Sequence, residues 1–276
     1  MAPKKIVGLL ITFGFVIPCY SQAETLTRSF SYVLKGKRGD ISVNLDSNTY
    51  NYIYNVPRLS CTQIPGCSSI TERDRRIITE VTQKAALAPF VAAIQAKTSK
   101  VDDQARIAVS LAQNIPYDWD KSDEIEAGGN PHLRYPYEVL YDNKQICSEN
   151  SYLVAFLLTE LGFSAGVFVF PEESHDTAAI RCPAKYSYKG TGYCFIESTA
   201  RRIITYNTMA SRYSGDYILE DLTPTGREFS PKKDYQDAQK YKKILRPVVS
   251  GKTGQKEQQK VQKTQEKIRT ELADFK

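Results

Sequence analysis

The sequence predicts an α+β fold, and three observations carry that reading. Apolar residues alternate with polar ones over Phe30, Tyr32 and Leu34 and again over Ile41, Val43 and Leu45, the period of a half-buried strand. Leu153, Val154, Leu157, Leu158 and Leu161 recur at helical spacing. Three strand-like runs then follow with tight connections, at 166–170, 175–180 and 193–197, so strands and helices are segregated along the chain rather than alternating.

The first element precedes the fold. Lys4 and Lys5 lead an apolar run over 6–17, Pro18 follows, and Ser21-Gln22-Ala23 fits a small-x-small cleavage site. Residues 1–23 are therefore expected to be a signal peptide, and the chain to be exported to the periplasm or beyond the cell. The run is short for a membrane span and no later one is long enough, so no transmembrane helix is expected after cleavage.

The two alternating segments flank Lys35-Gly36-Lys37-Arg38-Gly39-Asp40 and read as a β-hairpin. A short helix is expected over 47–54, with Tyr50, Ile53 and Tyr54 on one side, then a loop holding Cys61, Pro65, Gly66 and Cys67. Ser69 or Thr71 caps a helix carrying Ile77, Ile78, Val81 and Ala85 and running past Pro89 to Ile94, with a kink or break at the proline. Another helix starts near Asp102, with Ile107, Ala108, Leu111 and Ala112 on one face, and ends in Ile115-Pro116-Tyr117-Asp118-Trp119-Asp120. The Gly-, Asn- and Pro-rich segment 121–136 reads as loop. The helix over 147–161, with Gly162 after it, is apolar on more than one side and so central. One or two further strands are expected within 213–222. From Gly251 the tail is rich in Lys and Gln, either a lone solvated helix or disordered. The chain divides into an N-terminal hairpin and helical region at 24–100 packed on a core at 101–249, with a basic tail at 250–276.

Charge sits unevenly. The chain has 37 Lys and Arg against 31 Asp and Glu, a net +6, but 11 basic and 4 acidic residues fall in 240–276 alone. The basicity belongs to the tail, for which an anionic surface is the expected partner; it says little about the site, and no nucleic acid is expected. Of six cysteines, Cys19 leaves with the signal peptide. Cys61 with Cys67 and Cys182 with Cys194 would close short loops and leave Cys147 over, although sequence leaves the connectivity open. Two histidines and mostly paired cysteines do not supply a tetrahedral zinc set, so no metal and no cofactor are expected.

The stretch 135–199 holds Cys147 before the apolar helix, His175 opening a strand and Glu197 closing the next. Together with Ile115-Pro116-Tyr117-Asp118, Arg134-Tyr135-Pro136, Glu138, Leu140, Glu160-Leu161-Gly162, Tyr188-Lys189-Gly190 and Phe195-Ile196-Glu197-Ser198-Thr199, this order resembles the core of the transglutaminase-like superfamily. The likeness covers roughly 101–201. It implies a papain-like core, with the nucleophile at a helix N-terminus packed on an antiparallel sheet. Cys147 then matches the nucleophile, His175 the base and Glu197 the orienting carboxylate. Two departures stand out. Ile146 and Ser148-Glu149-Asn150 surround the cysteine where many relatives have Gly before it and an acidic residue after it, and the third member is Glu where Asp is commoner.

The residues support the same chemistry unaided. A helix start favours a thiolate, a histidine takes its proton, and a carboxylate fixes the histidine tautomer. The Cys147 N–H is one oxyanion donor, and Tyr117, Trp119 and Tyr135 are candidates for a second donor or for the pocket wall. One tension is visible. If Cys182 faced Cys194 in an antiparallel ladder, Glu197 would lie opposite Ala179, four residues from His175 and out of hydrogen-bond reach. Either the bridge lies outside the ladder or one assignment fails.

The function expected is an exported cysteine hydrolase, a peptidase or amidase acting through a thioester on protein or cell-wall peptide amides. A glutamine transamidase and a non-catalytic envelope-binding module of the same fold are the alternatives.

Overall fold

The computed structural model describes residues 24–58, 63, 70–205 and 216–249. The expected signal peptide, the pairing of Cys61 with Cys67, the Ser69 cap, the start of the 213–222 region and the tail from Gly251 fall outside them. Among the described residues no single helix is long and apolar enough to cross a membrane.

Strands β1 (Thr25–Leu34) and β2 (Lys37–Asp46) form the expected antiparallel hairpin, in a register that sets Leu34 opposite Lys37. The two-residue turn, Lys35 and Gly36, has φ of 53° and 78°; this left-handed pair follows the strand twist, and glycine takes its half without a Cβ penalty. Phe30, Ile41, Val43 and Leu45 are buried. Phe30 meets Phe90 edge-on at 5.8 Å between ring centroids, while Asn114 Nδ2 donates to the Ser31 carbonyl at 2.8 Å.

Helix α1 (Ser47–Tyr54) starts at Asp46, whose carboxylate accepts the Thr49 N–H. The single kinked helix expected next is two helices, α2 (Ile70–Thr79) and α3 (Val81–Ala96), inclined at 57°. The chain breaks at Glu80, whose carboxylate accepts the Gln83 N–H at 2.7 Å, and Pro89 lies inside α3. A local acidic cap decides the boundary here. Gln83 is buried and returns a hydrogen bond to the Ile77 carbonyl, one of the acceptors that the end of α2 leaves open.

Helix α4 (Val101–Gln113) buries Ala105, Ile107, Ala108, Val109, Leu111 and Ala112 between the hairpin and the central helix. The 121–136 stretch is not all loop. It overlaps helix α5 (Trp119–Glu126), with Asp118 at the cap and Lys121 drawn inward by an acidic partner of the central helix. Composition alone hid that partner. Helix α6 (Pro136–Asp142) follows, starting with proline at its first position.

The central helix α7 (Cys147–Glu160) is buried from Glu149 to Leu158, which is why its apolar residues appear on every side. Each fully buried Leu or Phe there contributes about 1.5–3 kcal/mol relative to an exposed position. It packs on a four-stranded antiparallel sheet of order β5-β4-β3-β6, with β3 (Ala165–Phe170), β4 (His175–Arg181), β5 (Tyr193–Ile196) and β6 (Ile218–Asp221). Val167, Ala178, Ile180 and Ile196 join the main core, while Phe168, Phe170, Tyr188, Tyr193 and Phe195 form an aromatic layer of their own. Helix α8 (Lys232–Val249) closes the described chain; Arg106 of α4 clamps its Asp234 with bonds of 2.9 and 2.6 Å.

The register question resolves in favour of the His175–Glu197 contact. In the β4–β5 ladder Cys194 lies opposite Ile180, and Cys182 follows the strand, its N–H bonded to the Gly192 carbonyl at 2.8 Å. The Cys182–Cys194 disulfide thus crosses the ladder diagonally, with Cα atoms 5.7 Å apart. That offset of two residues brings Glu197 level with Thr177, about 7 Å along the strand from His175, a gap a glutamate side chain spans.

Beside α7, three carboxylates share one arginine. Asp74 accepts from Tyr152 Oη at 2.7 Å and Arg73 Nε at 2.5 Å, and Glu220 and Asp176 stand next to it. Burial, then the Asp74 hydrogen bond and charge, push the Glu220 carboxyl well above the usual range despite Arg73. Burial likewise raises Asp176 to about 6. A carboxyl whose affinity for its proton rises on folding supports the fold fully below its unfolded pKa and loses that support as pH rises through its folded value. Glu220→Gln should therefore be more stable than the parent at neutral and alkaline pH and equal to it near pH 4, as read from urea midpoints across pH.

Candidate active site

Cys147 occupies the first turn of α7, after Ile146 in extended conformation. It is half-buried and the free cysteine of the described residues. The approach to it is locked to the end of α4: Gln145 Nε2 donates to the Ala112 and Ile115 carbonyls at 2.8 and 3.1 Å, and Asn150 Nδ2 to Ala112 at 3.1 Å. These side chains add donors to carbonyls at and just after the end of α4, so one set of bonds joins the end of one helix to the start of the next. The Tyr117–Gln145 bridge, with the Asp118 N–H on the Gln145 carbonyl at 2.8 Å, lays the 115–118 segment alongside.

His175 opens β4 and Glu197 follows β5. His175 Nε2 stands 3.5 Å from Glu197 Oε1, and the His175 ring also hydrogen-bonds Cys147. Burial alone would lower the His175 pKa; hydrogen bonds to Cys147 and Glu197, and their negative charges, outweigh it and raise the pKa to about 9. The imidazole is thus protonated at neutral pH. Burial pushes Glu197 up, but His175 and the Thr199 N–H pull harder, and its pKa is lowered. The same Oε1 accepts from the Ser198 and Thr199 N–H groups at 3.1 and 3.0 Å and from Thr199 Oγ1 at 2.8 Å. Gln113 ties this loop to α4 by donating to the Glu197 and Arg202 carbonyls, at 2.8 and 3.2 Å, and accepting the Arg202 N–H at 3.2 Å.

The three oxyanion and wall candidates part company. Tyr117 is at the site: burial and the nearby Cys147 raise its pKa, and Ser122 Oγ lies 3.4 Å from its phenolic oxygen. Trp119 packs on Tyr117 with centroids 4.6 Å apart and is 69% exposed, so it forms an open lip. Tyr135 is placed elsewhere: its buried ring lies under Arg58, whose guanidinium carbon is 4.3 Å from the ring centroid. Its rotation into helix α6 carries it there.

A charge network beneath the helix that Cys147 opens was not visible in the sequence. Glu149, 0% exposed, accepts the Ile146 N–H at 3.0 Å, the Arg134 N–H at 2.8 Å, Arg134 Nη1 at 3.2 Å, and Lys121 Nζ. Arg134 also holds Asp118 and Asp142, each at 2.8 Å, and Lys121 donates to the His132 carbonyl. Asp118 and Arg134 lie in the segments that carried the resemblance, but nothing in their spacing names Glu149 as the common partner. No group of histidines, cysteines and carboxylates suited to a metal occurs among the described residues.

With the geometry in place, comparisons with known proteins add a class. The family model described as a transglutaminase-like domain matches residues 88–187. A solved structure described as "Crystal structure of a TGase" aligns with 20% identity over 55% of this chain and 36% of that one, with a TM-score of 0.32; this chain spans little more than a third of that relative. No curated protein matches. Residues 88–187 are thus a transglutaminase-like domain, holding both Cys147 and His175.

Glu149→Gln should destabilise the protein by about 3–5 kcal/mol, the cost of leaving buried Lys121 and Arg134 short of a counter-charge. Urea denaturation of the variant beside the parent measures it, and a loss under about 1 kcal/mol would show that the network is not needed.

Proposed function

We propose that this chain is an exported cysteine hydrolase that cleaves amide bonds in protein or cell-wall peptides through a thioester. The observation that carries the reading is His175 held between Cys147, at a helix start, and Glu197. The imidazolium stabilises the thiolate, which attacks the amide carbonyl. His175 gives its proton to the departing amine as the tetrahedral intermediate collapses, leaving the acyl group on the sulfur. It then takes a proton from water, which attacks the thioester and releases the acid. Glu197 keeps the ring oriented throughout. The Cys147 N–H and the hydroxyl of the nearby Tyr117 are the two donors offered to the oxyanion in this reading.

Hydrolysis is favoured over transfer to an amine because the lip is open. Trp119 is mostly exposed and does not roof Cys147, whereas a transamidase must keep water from its thioester. Export, and docking of the basic tail on an anionic surface, belong to the same proposal. The latter is read from salt-sensitive binding to anionic vesicles, lost on truncation after Ser250.

Iodoacetamide should alkylate Cys147 selectively in the non-reduced protein, and much more slowly in His175→Ala; labelling elsewhere would overturn the nucleophile assignment. In peptide-amide hydrolysis, kcat/KM should fall as pH rises through about 9, where His175 loses the proton the leaving amine needs. Glu197→Gln removes an interaction that raises the His175 pKa, so this limb should move to lower pH by about one unit or more. Added amine should leave the rate of ammonia or amine release unchanged if water resolves the thioester.

A further inference from the structure

A second concavity, of about 830 Å³, lies between α2 and the 130–135 segment and does not contain Cys147. Its size is that of a site for a small molecule or a few peptide residues. Val56, Ile77, Leu133 and Tyr135 give it apolar surface, and its charged lining is Arg58, Arg73, Arg76 and Glu80, with His132 at one side.

The partners of these charges decide what the cavity offers. Arg58 is consumed by the fold, donating to the Ile53, Tyr54, Val56 and Leu133 carbonyls and to Glu138. Glu80 is occupied as the cap of α3, and His132 Nε2 lies 2.6 Å from Glu138 Oε1. Arg73 uses its Nε on Asp74, which is buried behind it. Arg76 is 52% exposed, and among the described residues it pairs with Glu72, at 3.7 Å; Glu72 already holds Arg75 at 2.7 Å. Arg73 and Arg76 are three residues apart on one helix and share a face. Arg73 is also the cation shared by the buried acids behind it, so the wall presents one guanidinium with donors to spare, that of Arg76, with Arg73 beside it and an apolar floor below.

Both walls are fastened to the nucleophile helix. On one side Asp74, next to Arg73, takes the hydroxyl of Tyr152, five residues and about 7.5 Å along the axis from Cys147. On the other side the Arg134 N–H, before Tyr135, is held by Glu149. We propose that this cavity is a subsite for an acidic peptide chain, with a Glu or Asp carboxylate, or a free C-terminal carboxylate, received by Arg76. The forked guanidinium matches a carboxylate bidentately, and the apolar floor suits the neighbouring peptide residues. Calling that peptide the substrate rests on the hydrolase reading above; its binding does not.

The test uses the full chain carrying Cys147→Ala and fluorescein-labelled hexapeptides of Gly, Ala and Leu, with one Glu at each position in turn, beside the same set with Gln. By fluorescence polarisation at low salt, at least one Glu peptide should bind about tenfold more tightly than its Gln twin. Arg76→Gln, which leaves the Arg73–Asp74 pair untouched, should abolish that preference, and Arg76→Lys should retain part of it. Circular dichroism and urea midpoints equal to the parent's would show that the variants fold. Equal binding of the two sets, a preference that survives Arg76→Gln, or no binding by any peptide would each overturn the proposal. A preference for acidic peptides in this variant, with Cys147 of the parent chain resisting iodoacetamide, would sink the hydrolase reading alone. Alkylated Cys147 without the preference would sink the subsite alone.

Discussion

A buried carboxylate, that of Glu149, joins three stretches of chain that the sequence keeps apart. It takes the N–H at the start of α7, the N–H and guanidinium of Arg134, and the ammonium of Lys121. An ion in a non-polar interior is tolerable only when its charge is matched and its lone pairs are occupied. Any displacement of α5, of the 130–135 segment or of the helix start would leave one of these groups bare. The position of Cys147 is therefore fixed by a condition on charge as much as by packing, and the walls on either side of it inherit that rigidity.

The contrast with the carboxylates beside Tyr152 is one of donor supply. Glu149 has four donors, two of them charged. Glu220 and Asp176 stand by Asp74 with Arg73 as the shared cation, and burial, with the neighbouring acid, raises both carboxyls. The same residue type thus ties down the N-terminal end of α7 through four donors and lies along its side among other acids.

Period and capping were legible where the forces are local. Alternation from Phe30 to Leu45 gave the hairpin, and leucine spacing after Cys147 gave the central helix, because each face of those elements answers to one core. The order of Cys147, His175 and Glu197 was also readable, and the resemblance implied that they meet, although the register that lets Glu197 reach His175 was not readable. Signals failed where a distant partner decides. Helix α5 looked like loop because its anchor, Glu149, lies 28 residues from Lys121. The break at Glu80 lost to Pro89 because a proline is a visible breaker, whereas a glutamate cap is known only once Gln83 is seen to need it. Tyr135 shared a motif with Arg134 and was grouped with the site, yet successive residues entering a helix point in different directions. The ladder register needed the disulfide to be diagonal, a geometry that cysteine spacing does not encode.

Trp119 is the chain's single tryptophan, and it stands mostly in water against Tyr117, which lies near Cys147. All indole fluorescence from this protein therefore originates at the mouth of the site. Light emitted by the native chain is a spectroscopic record of one location: whatever enters, whether peptide, inhibitor or a displaced phenol, changes the polarity around the only indole there is, without a label having been attached.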